Sequence, residues 1–221
     1  MIRTPLILAA ALCAATALPA AAQDIAVDGS LGTTGIGAHV QWKPINRVVL
    51  RGGYSYLNFT RDDQEYDGVE YDAEMDFQMP SGFVDLHPFE NGFTLTGGVY
   101  LGEKMADLTA NPDENVTVGD LTFTPEQIGI LNARADFEDT APYLGVGWDN
   151  ALYGDGGISL FARLGVMFTG SPEVSMTASG GTLSNEAIVQ EALADEEAEL
   201  KDDIEDYDLY PVINVGVSFS F

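Results

Sequence analysis

The sequence predicts an all-β fold: an eight-stranded antiparallel transmembrane β-barrel with long external loops and one acidic helical segment. Three observations carry this reading. Several stretches of bilayer-spanning length alternate apolar and polar residues at period two. The connections between them alternate short and long, as in outer-membrane barrels. No stretch after the first residues is long and apolar enough for a spanning helix, so the chain crosses a membrane as a closed barrel or not at all.

The last stretch shows the alternation best. Pro211, Ile213, Val215, Val217, Phe219 and Phe221 are non-polar, and Asn214, Gly216, Ser218 and Ser220 fall between them. Left unpaired, such a strand would be an exposed apolar edge; closure against the first strand removes that edge. An alternating strand ending on Phe also resembles the terminal signature of bacterial outer-membrane barrels.

Residues 1–22 read as a secretory signal peptide and 23–221 as the barrel. Arg3 supplies the positive region, Leu6 to Leu18 the apolar run, and Ala20, Ala21 and Ala22 the cleavage site before Gln23. Cys13, the only cysteine, lies inside that leader behind Leu12, so neither a disulfide nor thiol chemistry is expected afterwards. Acids outnumber bases 35 to 9, giving a net charge of −26. That sign disfavours nucleic acid as a partner.

The strands follow in order. Ile25 to Leu31 is a short first strand, closed by the turn Gly32-Thr33-Thr34-Gly35. Ile36, Ala38, Val40 and Trp42 alternate with Gly37, His39, Gln41 and Lys43 in the second. The third, Arg47 to Thr60, sets Val48, Leu50, Tyr54 and Tyr56 against Arg51, Gly53 and Ser55. In the fourth, about Tyr71 to His87, the apolar phase changes. Tyr71, Ala73, Met75, Phe77 and Met79 hold one phase, and Gly82, Val84 and Leu86 the other. A bulge at Pro80-Ser81 is therefore expected. It would leave Asp72, Glu74, Asp76, Gln78, Asp85 and His87 on the lumen face.

Asn91-Gly92 marks the next hairpin, and Phe93 to Lys104 the fifth strand. Met105 to Asp136 reads as a long polar loop. Thr140 to Asp149 and Ile158 to Thr169 are the sixth and seventh strands, with Val174 to Ala178 a prolongation of the seventh. Ser184 or Asn185 could cap an acidic helix, so that the helical segment spans about 184–206. The eighth strand closes the chain. Counting back from it puts the turns at 44–46, 88–92 and 150–156 in the periplasm and the longer loops outside, which requires the first strand to be separate. Eight strands leave a lumen about filled by side chains.

Charges inside such a barrel need partners, so His39, Arg51, Asp85 and Arg163 are expected to form a lumen network. Asp72, Glu74 and Asp76 share one face at the external end and are expected to form an acidic mouth that enriches cations. No catalytic residue is assigned. His39 and His87 carry no recognised motif, and Ser81 near His87 is no signature of a hydrolase. Nor is a metal or cofactor expected. The histidines lack metal spacing, and Asp62, Asp63, Glu65 and Asp67 lack the calcium-loop pattern. The expected partners are outer-membrane lipid and small cationic solutes.

Several motifs occur together in order. They are Gly32-Thr33-Thr34-Gly35 with Ile36-Gly37, Gly53-Tyr54, Ala141-Pro142-Tyr143-Leu144-Gly145-Val146-Gly147, Phe168-Thr169-Gly170-Ser171-Pro172-Glu173-Val174, and the acidic helix running into Tyr210-Pro211-Val212. Together they resemble the CarO-type outer-membrane proteins, which are linked to ornithine uptake and carbapenem entry, and a wider set of proteobacterial barrels. The resemblance implies an eight-stranded barrel in the outer membrane. With the polar lumen, it makes a small-solute porin or uptake channel with cation preference the first expectation. A closed structural or adhesive barrel acting through its external loops is the alternative.

Overall fold

The computed structural model describes residues 24–66, 69–204 and 208–221, with side chains described outside 62–71. The expected leader, the side chains of the acidic run at 62–67 and the last residues of the expected helix lie outside what is described. In chain order the elements are β1 (Ile25–Gly32), β2 (Gly35–Ile45), β3 (Val48–Tyr66), β4 (Val69–Leu86), β5 (Phe93–Leu101), β6 (Lys104–Pro112), β7 (Val116–Val118), β8 (Leu121–Phe123), α1 (Pro125–Ile128), β9 (Gly129–Asp136), β10 (Thr140–Asp149), β11 (Gly157–Phe168), β12 (Glu173–Gly180), α2 (Ala187–Ile204) and β13 (Leu209–Ser220).

Eight of these close a ring in the order β1-β2-β3-β4-β5-β10-β11-β13, every pair antiparallel. The seam joins the two ends of the barrel: Ala26 pairs with Ser220, and Gly32 with Asn214. β1 is thus a strand of its own. Its turn into β2 is pinned to β13, where the Tyr210 hydroxyl donates to Thr33 O (2.7 Å) and Thr34 Oγ1 donates to Asn214 Oδ1 (3.0 Å). Gly35 begins β2 at φ +77°, a conformation that favours glycine.

Along the ring, period two sorts the side chains. Leu31, Val40, Trp42, Val146, Leu160, Leu164, Val215 and Val217 point outward and are exposed. That belt is apolar because lipid, not water, meets it. An Arg at Leu164 or Val215 is expected to cost about 2–4 kcal/mol in a lipid bilayer. Urea unfolding in vesicles checks this, and wild-type stability in both variants would reverse the assigned faces.

β4 corrects the sequence reading. Its pairing with β3 runs without a shift through Gly52↔Gly82, Gly53↔Ser81, Tyr54↔Pro80 and Ser55↔Met79, so there is no bulge at Pro80-Ser81. Phe77, Met79, Phe83, Asp85 and His87 are all buried and all in one phase. What changes at Pro80 is the other neighbour of β4. Below it, Ser81 to Leu86 pair with β5; above it, Val69 to Phe77 pair with β6.

β3 and β4 therefore rise beyond the barrel and carry a second structure. β6, β9 and β12 extend the sheet from β4. The stretch expected as a polar loop, 105–136, instead supplies β6, the β7–β8 hairpin, α1 and β9. The expected extension of β11 is also a separate strand. β11 ends at Phe168, Gly170 turns the chain at φ +69°, and β12 pairs with β9.

This head has its own core of Ala110, Val118, Phe123, Ile128, Leu131, Val189, Ala192 and Leu193. α2 gives its sparse apolar side to that core and faces most of its acids outward. Ser184 does not cap it; its hydroxyl donates to Gly181 O (2.9 Å). The helix also lies against the last strand of the sheet, where Met176 N–H donates to Glu197 Oε2 (3.2 Å). The free edge of β12 is thereby covered. Leu193→Asp is expected to loosen the helix from the head while the barrel stays folded. Limited proteolysis should then cut within 113–204, with the gel shift of the heated barrel unchanged.

Candidate functional site

The lumen is filled in three layers. At the periplasmic end the turn 150–156 folds inward. Ala151 and Leu152 are buried against Ala26 and Val49, and Tyr153 packs beside them. Tyr153 stacks on His87 with centroids 4.1 Å apart, and Lys43 Nζ donates to Leu152 O (2.8 Å).

The middle layer is ionic. Asp28, at the centre of β1, accepts from Arg163 Nη2 (3.0 Å) and Gln41 Nε2 (2.9 Å), and pairs with His39 Nδ1 (2.9 Å). Asp149, at the end of β10, accepts from the same Arg163 nitrogen (2.6 Å) and from Gln41 (2.9 Å). Its other oxygen takes the Ala151 N–H (3.1 Å), which ties this layer to the periplasmic turn. On the opposite side Arg51 makes a two-pronged contact with Asp85 (2.9 and 3.2 Å), and Thr96 Oγ1 donates to the same carboxylate (2.6 Å). The guanidinium of Arg51 also lies 4.1 Å from the Phe83 ring centre, and that of Arg163 3.8 Å from Phe161.

Above it sits an aromatic layer: Phe77, Met79, Phe83, Tyr100, Ala141, Tyr143, Met167 and Val212. Phe83, Tyr100 and Tyr143 meet edge to face at 5.0–5.6 Å, the geometry aromatic quadrupoles favour. Glycines make room for the rings. A Cβ at Gly98 would strike Phe83, and one at Gly145 or Gly165 would strike Tyr143. An apolar cleft of about 380 Å³ opens beyond this layer, at the rim between barrel and head, where Phe137 and Tyr210 are among its walls.

The residues expected for the lumen network, His39, Arg51, Asp85 and Arg163, all point inward and are buried. Within this layer their hydrogen bonds divide into two groups. Arg51 takes Asp85, whereas Arg163 takes Asp28 and Asp149. Asp28 went unassigned in the sequence, although alternation in β1 puts Ala26, Asp28 and Ser30 on one face. An acid at that depth signals a cation opposite.

The acidic mouth is a second correction. Asp72, Glu74 and Asp76 do share a face, but it is the outer face of the β3–β4 extension, in phase with Pro80, Val84 and Leu86. Asn58 bridges Glu74 and Asp76 there (3.3 Å each), and Gln78 donates to Asp76 (3.2 Å). These acids stand above the lipid belt and do not line the lumen. Lys104, expected at the end of the fifth strand, opens β6 instead; it is buried and its Nζ donates to Gly102 O (2.7 Å).

A closed ring with a lipid-facing belt, a filled polar interior and a folded external head defines an outer-membrane β-barrel protein. Among solved structures the chain is similar to CarO of Acinetobacter baumannii, at 26% identity and TM-score 0.61 over 89% of this chain and 97% of that one. It is similar also to CarO2 of the same organism, at 24% identity and TM-score 0.63 over 89% and 98%. The chain thus has the fold of the CarO-type outer-membrane barrels. No family model matches the chain, and no curated protein matches it.

Proposed function

We propose that the protein is a closed outer-membrane barrel that anchors the head at the cell surface and acts through it. The observation that supports this is the filling of the lumen at three successive depths, with Arg51, Arg163 and Phe83 each buried to about 5% exposure or less. A solute would have to break ion pairs whose partners cannot be rehydrated cheaply.

A second reading, slow uptake of small cationic solutes, has one observation in its favour. The middle layer is polar across the whole section, and a moving side chain there could hand a solute from one carboxylate to the next. Cation preference would then come from Asp28, Asp85 and Asp149 and from the acidity of the head, since Asp72, Glu74 and Asp76 face outward.

Planar-bilayer recording separates the two. The closed barrel is expected to give no steady conductance while keeping its heat-modifiable fold. A reproducible open state with a cation-selective reversal potential would replace the first reading by the second.

A further inference from the structure

The head sheet is covered along one edge and open along the other. α2 lies against β12. At the opposite edge, β2 follows β3 only as far as Ile36↔Tyr56, whereas β4 follows it past Arg61. Among the described elements, only β2 and β4 pair with β3, so its upper half has a neighbour on one side alone. Asn58, Phe59, Thr60 and Arg61 are all exposed there.

The phase of the ladder shows which main-chain groups face the open side. In an antiparallel sheet one residue directs its N–H and C=O to one neighbour, and the next residue directs them to the other. His87 N–H donates to Arg47 O (2.8 Å), which continues the β3–β4 ladder and sets the odd-numbered residues of β3 against β4. Gln78 N–H donates to Glu103 O (2.9 Å), away from β3, in agreement with that phase. The register runs without a shift from Val48 to Arg61. Asn58 and Thr60 therefore present both their N–H and their C=O groups to the side that β2 has left. The two faces beside this edge differ. On the lumen phase Phe59 pairs with Met75, and Leu108 lies beyond on β6; all three are apolar and exposed. On the outer face Asn58 pairs with Asp76, and Thr60 with Glu74. Asp107, next along that face, has Arg134 as its cation. The hydrogen bonds described for Glu74 and Asp76 come from neutral side chains, Asn58 and Gln78 among them.

We propose that this edge docks an extended segment of another protein, with alternating apolar and basic residues, as an added strand of the head sheet. The proposal rests on the reading that the barrel acts through its head. Asn58 and Thr60 supply main-chain hydrogen bonds to any extended chain, and the two faces select its side chains. Its apolar residues lie beside Phe59 and toward Met75. Its lysines or arginines take the opposite phase, on the side of Glu74 and Asp76. An acidic segment would add like charge there. A second copy of this chain does not fit. Two copies in one membrane share its normal, so both β3 strands rise outward, and the tilt of barrel strands makes their edges cross rather than align.

The test uses the full barrel in uncharged detergent micelles and a short synthetic peptide of alternating lysine and valine, with alternating glutamate and valine as its counterpart. The expected result is saturable binding of the lysine peptide alone. Amide hydrogen exchange, read by NMR, should slow at Asn58 and Thr60 on binding and stay as it was at Phe59, whose N–H already bonds β4. Thr60→Pro removes an N–H from the open side without touching the β3–β4 ladder, and should weaken binding roughly tenfold. Glu74→Gln with Asp76→Asn should abolish the preference for the lysine peptide, which keeps the test decisive should the proline variant fail to fold. Unchanged exchange at Asn58 and Thr60, equal binding of the two peptides, or self-association of the barrel that Thr60→Pro abolishes would overturn the proposal. Bilayer conductance, which tests the closed lumen, reads none of these, so the two readings fail separately.

Discussion

Arg163→Met should destabilise the barrel by about 3–5 kcal/mol, a loss set by what it leaves behind. Asp28 and Asp149 each direct an oxygen at the same Arg163 nitrogen, at 3.0 and 2.6 Å, and both carboxylates are buried. With the guanidinium gone, two acids face each other with Gln41 as a shared neutral donor. Adding Asp149→Asn removes one of the stranded charges, so the double variant should recover part of the loss. That non-additivity should amount to about 0.5–3 kcal/mol. The Arg163–Asp85 pair shares no hydrogen bond and should couple more weakly. Urea unfolding in vesicles gives each term. Equal coupling for the two pairs would dissolve the division of the layer into an Arg51 side and an Arg163 side.

Phe83→Ala should cost a similar amount, about 3–5 kcal/mol, for the opposite kind of reason. Phe83 is the ring on which the aromatic layer rests. Tyr100 and Tyr143 meet it edge to face, and Arg51 lies on its face. Truncation opens a cavity bounded by the membrane wall, which cannot collapse without distorting the hydrogen-bonded ring of strands. It also removes the apolar cover from the Arg51–Asp85 pair. Phe83→Leu keeps most of the volume and should lose much less. If the alanine variant unfolds at the wild-type urea concentration, the layer is not packed as described.

Much of this architecture was readable from period and parity. The outward residues of β10, β11 and β13 announce themselves because lipid accepts only apolar side chains there, and the inward Arg51, Asp85 and Arg163 stand out against them. β4 misled for a physical reason. On the inward side Phe77, Met79 and Phe83 are apolar and fill the lumen, whereas Asp85 and His87 below them are polar. Outward residues change the other way near Pro80, because lipid begins there. Two changes of environment at neighbouring depths imitate a slip of register. The head was hidden because its strands pair across distance. β6 finds the upper half of β4, and β12 finds β9, so neither carries a full alternating pattern of its own. Asp28 was missed because its meaning lies in Arg163, 135 residues further on.

β4 belongs to two bodies at once: it is barrel wall below Pro80 and head sheet above it. A tilted strand needs only about ten residues to cross the hydrocarbon. The remaining residues of β4, at about 3.4 Å each, are head sheet and carry it up to roughly 25 Å beyond the lipid core. No linker intervenes, so the height and the rotation of the head are those of the barrel itself. A partner would meet a surface whose orientational freedom was given up during folding, and association would be spared that loss. Its heat-capacity change should then match the apolar area in contact, without the larger change that accompanies the folding of a loose loop.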